Sequence, residues 1–265
     1  MKKDQTKRKS ETMIPPCPPP DFFFENNTTE LVFILDKSGS MEGMEKDTVG
    51  GFNAMIEKQK KQDGKAYVTT VLFANDTKML HDRQNLEEVL PLTQKDYAVG
   101  GCTALLDAIG QTVTHIQKIH SYARKEDVPA RTVFIITTDG MENASHCYDH
   151  TQIKKLISYQ KEKYGWEFLF LAANIDAEET AAGMGISPAC AANYSVEKDT
   201  KLVFNEICSF LSEYRKTGKV KRNWKKKIEE KQDNESEKNN LIAPQWESYE
   251  DAVKRLEKRK QNKQR

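Results

Sequence analysis

A chain of 265 residues, 37% hydrophobic and 31% charged, can hold one sizeable domain plus tails and does not need disulfides or metals merely to fold. Its net charge of +1 hides a division: residues 21–214 carry 19 Lys+Arg against 29 Asp+Glu, a net of −10, residues 1–20 carry +3 and residues 215–265 carry +8. The five cysteines are odd in number, scattered and without a CxxC pair, which excludes a disulfide framework as an organising principle. The basic N-terminus has no apolar segment behind it, and the longest apolar runs are about half a membrane span or less. These features predict a soluble cytoplasmic protein with no membrane contact.

Residues 1–24 are charged and then proline-rich, a composition that cannot bury a core and predicts a disordered or locally polyproline tail. Phe22, Phe23 and Phe24 are expected to tuck onto the edge of the domain that follows. From Leu31 five apolar residues run without interruption and stop at Asp36. A run so short and so apolar reads as a strand buried on both faces, as in a parallel sheet. Residues 43–61 have Val49, Phe52 and Ile56 on one helical face, with Gly50 and Gly51 weakening the helix by about 1 kcal/mol each. Residues 66–74 read as a second strand. The Asn75-Asp76 turn returns the chain into a short strand at 77–81, the pattern of an antiparallel hairpin, and a short helix follows near Leu86–Leu90.

Residues 97–103 form a glycine loop. The next segment, 104–119, repeats Leu105, Ala108, Ile109, Thr112, Val113 and Ile116 at intervals of three and four, predicting a helix. Strands are expected at 132–138, ending on Asp139-Gly140, and at 167–173, with a helix at 151–163 between them. A short helical piece at 177–183, a short edge strand at 192–195 and a helix at 197–214 complete the pattern. Strands alternating with helices predict an α/β architecture, a doubly wound, mostly parallel sheet covered on both faces. Beyond 215 the chain turns basic, and Trp246, Tyr249, Val253 and Leu256 fall on one stripe of a charged helix, which reads as a docking element.

Three of these stretches supply oxygen. Asp36, Ser38 and Ser40 follow the first strand, Thr103 opens a helix after a Gly-Gly turn, and Asp139 ends another strand. A doubly wound sheet places all five along the carboxyl edge, where ligands bind. Two carboxylates and three hydroxyls suit a hard cation such as Mg2+ or Mn2+ in a weak, open site. Neutral hydroxyls leave the aspartates to supply the charge.

The segment Asp36-Lys-Ser-Gly-Ser40, then Thr103, then Thr138-Asp139-Gly140, resembles the metal-ion-dependent adhesion site of von Willebrand factor type A domains. The resemblance covers roughly residues 29–215, and the domain is placed at 25–215. It implies a six-stranded sheet with one short antiparallel edge strand. It also implies direct metal ligation by Ser38, Ser40 and often Thr103, with Asp36 and Asp139 acting directly or through water. A protein partner's Asp or Glu would take the open coordination position. Lacking the leader and disulfides of extracellular members, the chain is similar to intracellular bacterial ones, which implies an adaptor or assembly protein and argues against cell adhesion; no catalytic residues are expected.

Neighbouring residues have plainer readings. Thr103 can also be the N-cap of its helix. Glu142 and Asn143 read as an approach to the next helix rather than as groups orienting the site. His146, Cys147 and His150 lack a fourth ligand for structural zinc. Cys102 reads as a buried small hydrophobe. Lys219–Lys227, with Trp224 inside it, reads as a solvated linker in a basic, partly helical tail, 216–265. Two alternatives compete with protein binding. A metal-dependent hydrolase or phosphatase would need a nucleophile or base, yet no second Asp lies two residues past Asp36, and His81, His146 and His150 are not obviously aimed at the site. A nucleic-acid-associated protein would use the basic tail to meet nucleic acid or an acidic partner.

Overall fold

A computed structural model describes residues 27–194, 196–221 and 223–231. The expectations for the N-terminal tail, including Phe22–Phe24, and for the Trp246–Leu256 helix lie outside them. The elements run β1 (Thr29–Asp36), α1 (Glu45–Lys60), β2 (Ala66–Phe73), β3 (Thr77–Asn85), α2 (Leu105–Tyr122), β4 (Arg131–Thr138), α3 (His150–Tyr164), β5 (Glu167–Ala172), α4 (Ala177–Gly183), β6 (Ala191–Asn193) and α5 (Val196–Thr217). The six strands form one sheet in the order β3-β2-β1-β4-β5-β6. All neighbours are parallel except β2 and β3. The sheet is therefore the expected mixed one, with its antiparallel strand at an edge.

β1 lies at the centre, paired to β2 on one side and β4 on the other, and every residue in it is buried. Its side chains alternate between two cores, as strand geometry requires. Leu31, Phe33 and Leu35 join Phe52 and Met55 of α1 and Ile207 and Leu211 of α5. Val32 and Ile34 join Ile109 and Val113 of α2 and Ile157 of α3 on the other face. Phe33 meets Phe52 edge to face at 5.3 Å. Gly51 in α1 has a packing reason: a Cβ there would come within 2.3 Å of the Phe204 ring of α5. α3 starts with a capping box between Asp149 and Gln152 and stops at Gly165, whose φ of 63° is left-handed.

Two expectations need correction. The edge strand β3 is not confined to 77–81; it continues to Asn85, past a bulge in its pairing with β2 near Thr69 and Thr70. Arg83 sits there at a φ of 45°. The second concerns the segment just past the expected end of the domain, where the compact unit extends to Ile228. Instead of a solvated linker, residues 219–221 and 223–228 pack on the domain. Trp224 is buried, meets Phe210 edge to face at 5.9 Å and donates its indole N–H to the Ala189 carbonyl at 2.9 Å. Ion pairs Lys225–Glu178 at 2.5 Å, Lys227–Glu206 at 2.9 Å and Lys221–Glu213 at 3.1 Å fasten the segment, and Ile228 is fully buried. Basic composition concealed an apolar anchor: two side chains bury while the surrounding lysines reach acidic residues at the rim.

Candidate metal centre

β1 and β4 are adjacent and parallel, so Asp36 and Asp139 leave the sheet side by side at its carboxyl edge. The chain after β1 makes a tight turn over Gly39–Met41. The Ser38 N–H returns to Asp36 Oδ1 at 2.7 Å, and Thr138 Oγ1 donates to Asp36 Oδ2 at 2.6 Å. Ser40 Oγ donates to Asp139 Oδ1 at 2.6 Å and lies 3.1 Å from Ser38 Oγ. The Tyr97 hydroxyl, buried beneath, donates to the Asp36 carbonyl.

The glycine loop completes the edge. Gly100 and Gly101 have φ of 153° and 85°, conformations that suit glycine. They bring the loop against the first turn: the Gly39 N–H donates to the Gly101 carbonyl at 3.0 Å and the Gly100 N–H to the Lys37 carbonyl at 2.9 Å. Thr103 follows. Its Oγ1 and the Ser40 Oγ would each lie 3.4 Å from a Cβ at Gly140, so the two hydroxyls flank the same residue. All five residues singled out in the sequence, Asp36, Ser38, Ser40, Thr103 and Asp139, thus sit on three converging loops.

The electrostatics of this edge are lopsided. Asp36, Ser38, Thr103 and Asp139 are all buried. Burial pushes both aspartates above the ordinary carboxylate range, and for Asp139 the nearby Asp36 pushes the same way. Their hydrogen-bond partners are neutral hydroxyls and backbone N–H groups. Asp139 Oδ2 is buried with no partner at all. Among the described residues no group of three or more His, Cys, Asp and Glu side chains forms a metal cage. A cation held here would rely on two carboxylates and three hydroxyls, an all-oxygen set that fits a hard divalent ion.

Three neighbouring readings change. Thr103 is not the cap of α2; Ala104 occupies that position without a side-chain bond. Glu142 and Asn143 are not simply the approach to α3. Asn143 Oδ1 accepts from the Thr103 N–H at 2.8 Å, and Glu142 accepts from Leu106 N at 2.8 Å. Cys102 is exposed rather than buried, and its N–H donates to Asn75 Oδ1 at 2.7 Å. The sequence offers no local signal for these bonds, which join residues tens of positions apart. No helix among the described residues is long and apolar enough to cross a membrane.

Comparison with curated proteins finds no match. Among solved structures the fold is similar to the vWF domain of the type V pili tip protein Mfa5 from Porphyromonas gingivalis, at 9% identity and a TM-score of 0.52, covering 73% of this chain and 98% of that one. It is also similar to proximal thread matrix protein 1 from the mussel byssus, at 13% identity and a TM-score of 0.51, covering 71% of this chain and 47% of that one. The chain thus spans about half the length of the mussel protein. The family model described as von Willebrand factor type A domain matches residues 30–206, two-thirds of the sequence. With that match and the mixed six-stranded sheet, the chain belongs to the von Willebrand factor type A domain family, whose members generally act as protein-interaction modules and often use a bound metal to do so.

Proposed function

We propose that this protein is a Mg2+- or Mn2+-dependent binding module that recognises a carboxylate on a protein partner. Asp36, Ser38, Ser40, Thr103 and Asp139 would hold the cation. The observation that carries this reading is a pair of buried carboxylates, Asp36 and Asp139, met among the described residues by neutral donors alone. Such a deficit is what a divalent ion relieves. When bound, the cation supplies positive charge and an electrophilic position open to an outside oxygen. The domain body is net negative, so an acidic partner needs the local field reversed at this edge. The chain's own residues set the geometry: Ser38 N and Thr138 Oγ1 fix the Asp36 carboxylate, and Ser40 fixes Asp139.

The role is binding rather than catalysis. Among the described residues the two aspartates bond to serine and threonine hydroxyls and to a backbone amide, and no histidine joins them to activate a nucleophile. The nucleic-acid alternative loses part of its footing, since Trp224, Lys225 and Lys227 are engaged with the domain itself. Two exposed thiols, Cys102 and Cys147, suit a reducing compartment, and we place the protein in the cytoplasm as an adaptor or assembly factor.

The test is a titration of thermal stability with Mg2+ and Mn2+, in wild type and in a Ser38→Ala, Ser40→Ala variant. Metal at about 100 times its dissociation constant adds about 2.7 kcal/mol, a rise of roughly 5–10 °C for a domain of this size. The rise is expected in wild type and absent in the variant. No rise in wild type at millimolar metal, or an equal rise in both, overturns the reading.

A further inference from the structure

Between β4 and α3 the chain crosses the candidate site in a loop, residues 139–149, that two carboxylates bind to the start of α2. Glu142 Oε2 accepts from Leu106 N and from Ser145 Oγ, both at 2.8 Å. Its Oε1 accepts from Ala144 N at 2.9 Å and Ser145 N at 2.7 Å. Asp107, in the first turn of α2, answers in the other direction. Its Oδ1 accepts from Cys147 N at 2.9 Å and Tyr148 N at 2.8 Å, and its Oδ2 from His146 N at 2.9 Å. Burial alone would raise the Asp107 pKa, but these three donors more than offset it and hold the carboxyl below its ordinary range. Ser145 Oγ closes the circuit by accepting from Asp107 N at 3.0 Å. Between the two carboxylates, Asn143 and Thr103 pair through Thr103 N to Asn143 Oδ1 at 2.8 Å and Asn143 N to the Thr103 carbonyl at 3.1 Å. Tyr148 lies so close over Gly110 that a Cβ there would come within 2.5 Å of its ring.

This arrangement does more than satisfy a helix end. The first N–H groups of a helix need acceptors, and the cap residue Ala104 supplies none. Leu106 and Asp107 find theirs on the loop that begins at Asp139. The two loops bearing Thr103 and Asp139, which lie far apart in sequence, are thereby locked to each other. There is also a charge effect. The N-terminus of a helix carries the equivalent of about half a positive charge, and that of α2 opens directly behind Thr103, where it disfavours a cation. The Glu142 carboxylate sits on that end and opposes it.

We infer that Glu142 is a positioning residue for the cation site: through Leu106 and Ser145 it fixes Thr103 against Asp139 and cancels the positive end of α2 beside them. This rests on the metal-binding reading above. Loss of such an outer contact typically weakens metal affinity by about tenfold or more.

The test measures Mn2+ affinity of the full chain by titration calorimetry, with thermal melts in chelator alongside, for wild type, Glu142→Gln and Ser145→Ala. Glu142→Gln keeps the shape, removes the charge and halves the acceptor oxygens; its dissociation constant is expected to rise about tenfold. Ser145→Ala keeps the carboxylate but cuts its hydroxyl link to Asp107 N, and a smaller weakening in the same direction is expected. It decides the matter if Glu142→Gln fails to fold. A merely structural role lowers the melting temperature in chelator and leaves the dissociation constant of both folded variants at the wild-type value, which overturns the inference while the metal site stands. Absence of Mn2+ binding in wild type is a different result, and removes the metal site itself.

Discussion

β1 carries a buried carboxylate at each end, and the fold treats the two oppositely. Glu30, at the amino end, is fully buried and its Oε2 receives the Arg83 Nε at 2.7 Å. His120 Nε2 lies 3.4 Å from the same oxygen, with Trp166 edge-on to its ring at 5.4 Å. Arg83 is itself held, over the Tyr67 ring at 4.6 Å and by a bond to the Asp127 carbonyl at 3.3 Å. Asp36, at the carboxyl end, is equally buried but faces only neutral donors, and its neighbour Asp139 is a second carboxylate. Each end leaves one carboxylate oxygen without a partner, Glu30 Oε1 and Asp139 Oδ2. Hydrogen-bond shortage therefore does not separate the two ends; charge does. One end is closed by a cation built into the chain, whereas at the other the charge would come from the metal proposed above.

The largest expected effect is at the closed end. Arg83→Met leaves Glu30 buried beside no fixed positive charge, and removing one partner of a buried pair typically costs about 3–5 kcal/mol. Denaturant melts should show that loss equally in chelator and in saturating Mg2+. A loss that shrinks when metal is added would mean the two ends are coupled through β1, and the contrast would fail. The double variant Arg83→Met, Glu30→Gln comes next. With both charges gone it should recover most of that loss and settle about 1–2 kcal/mol below wild type. If the double variant is as unstable as Arg83→Met, the guanidinium acts by packing on Tyr67 rather than by pairing with Glu30.

The two ends also differ in how far the sequence discloses them. The open end is written locally. Asp36, Ser38 and Ser40 occupy alternate positions after an apolar run, and Asp139 ends another such run, so strand periodicity alone brings them to one edge. The closed end is not written that way. Arg83 reaches Glu30 only because β3 continues past 81 through a bulge and turns at a positive φ, which no pattern of polar and apolar residues announces. The same holds for Glu142 and Asp107, whose bonds join α2 to a loop some 40 positions away, and for Trp224, whose lysine-rich surroundings read as solvent-facing. Secondary structure and the motif come from short-range periodicity. The compensation of charge comes from tertiary contacts between residues that look unremarkable where they stand.

The smallest effect is the sharpest test of the open end. Burial, reinforced by Asp36, holds the Asp139 pKa above its unfolded value. The native chain then binds its proton more tightly than the unfolded one, so without metal the fold loses stability as pH rises from the unfolded carboxylate range through that raised value. Asp139→Asn removes this liability while keeping an oxygen for Ser40. In chelator at neutral pH it should leave stability within about 1 kcal/mol of wild type, on the stabilising side, and the difference should fade as pH falls and wild-type Asp139 becomes protonated. The same variant should gain nothing from added metal. Melts of both proteins across pH, with and without Mg2+, make the comparison. A loss as large as that of Arg83→Met would show Asp139 to be as much a part of the fold's own charge balance as Glu30, and the carboxyl edge would then need no ion to explain it.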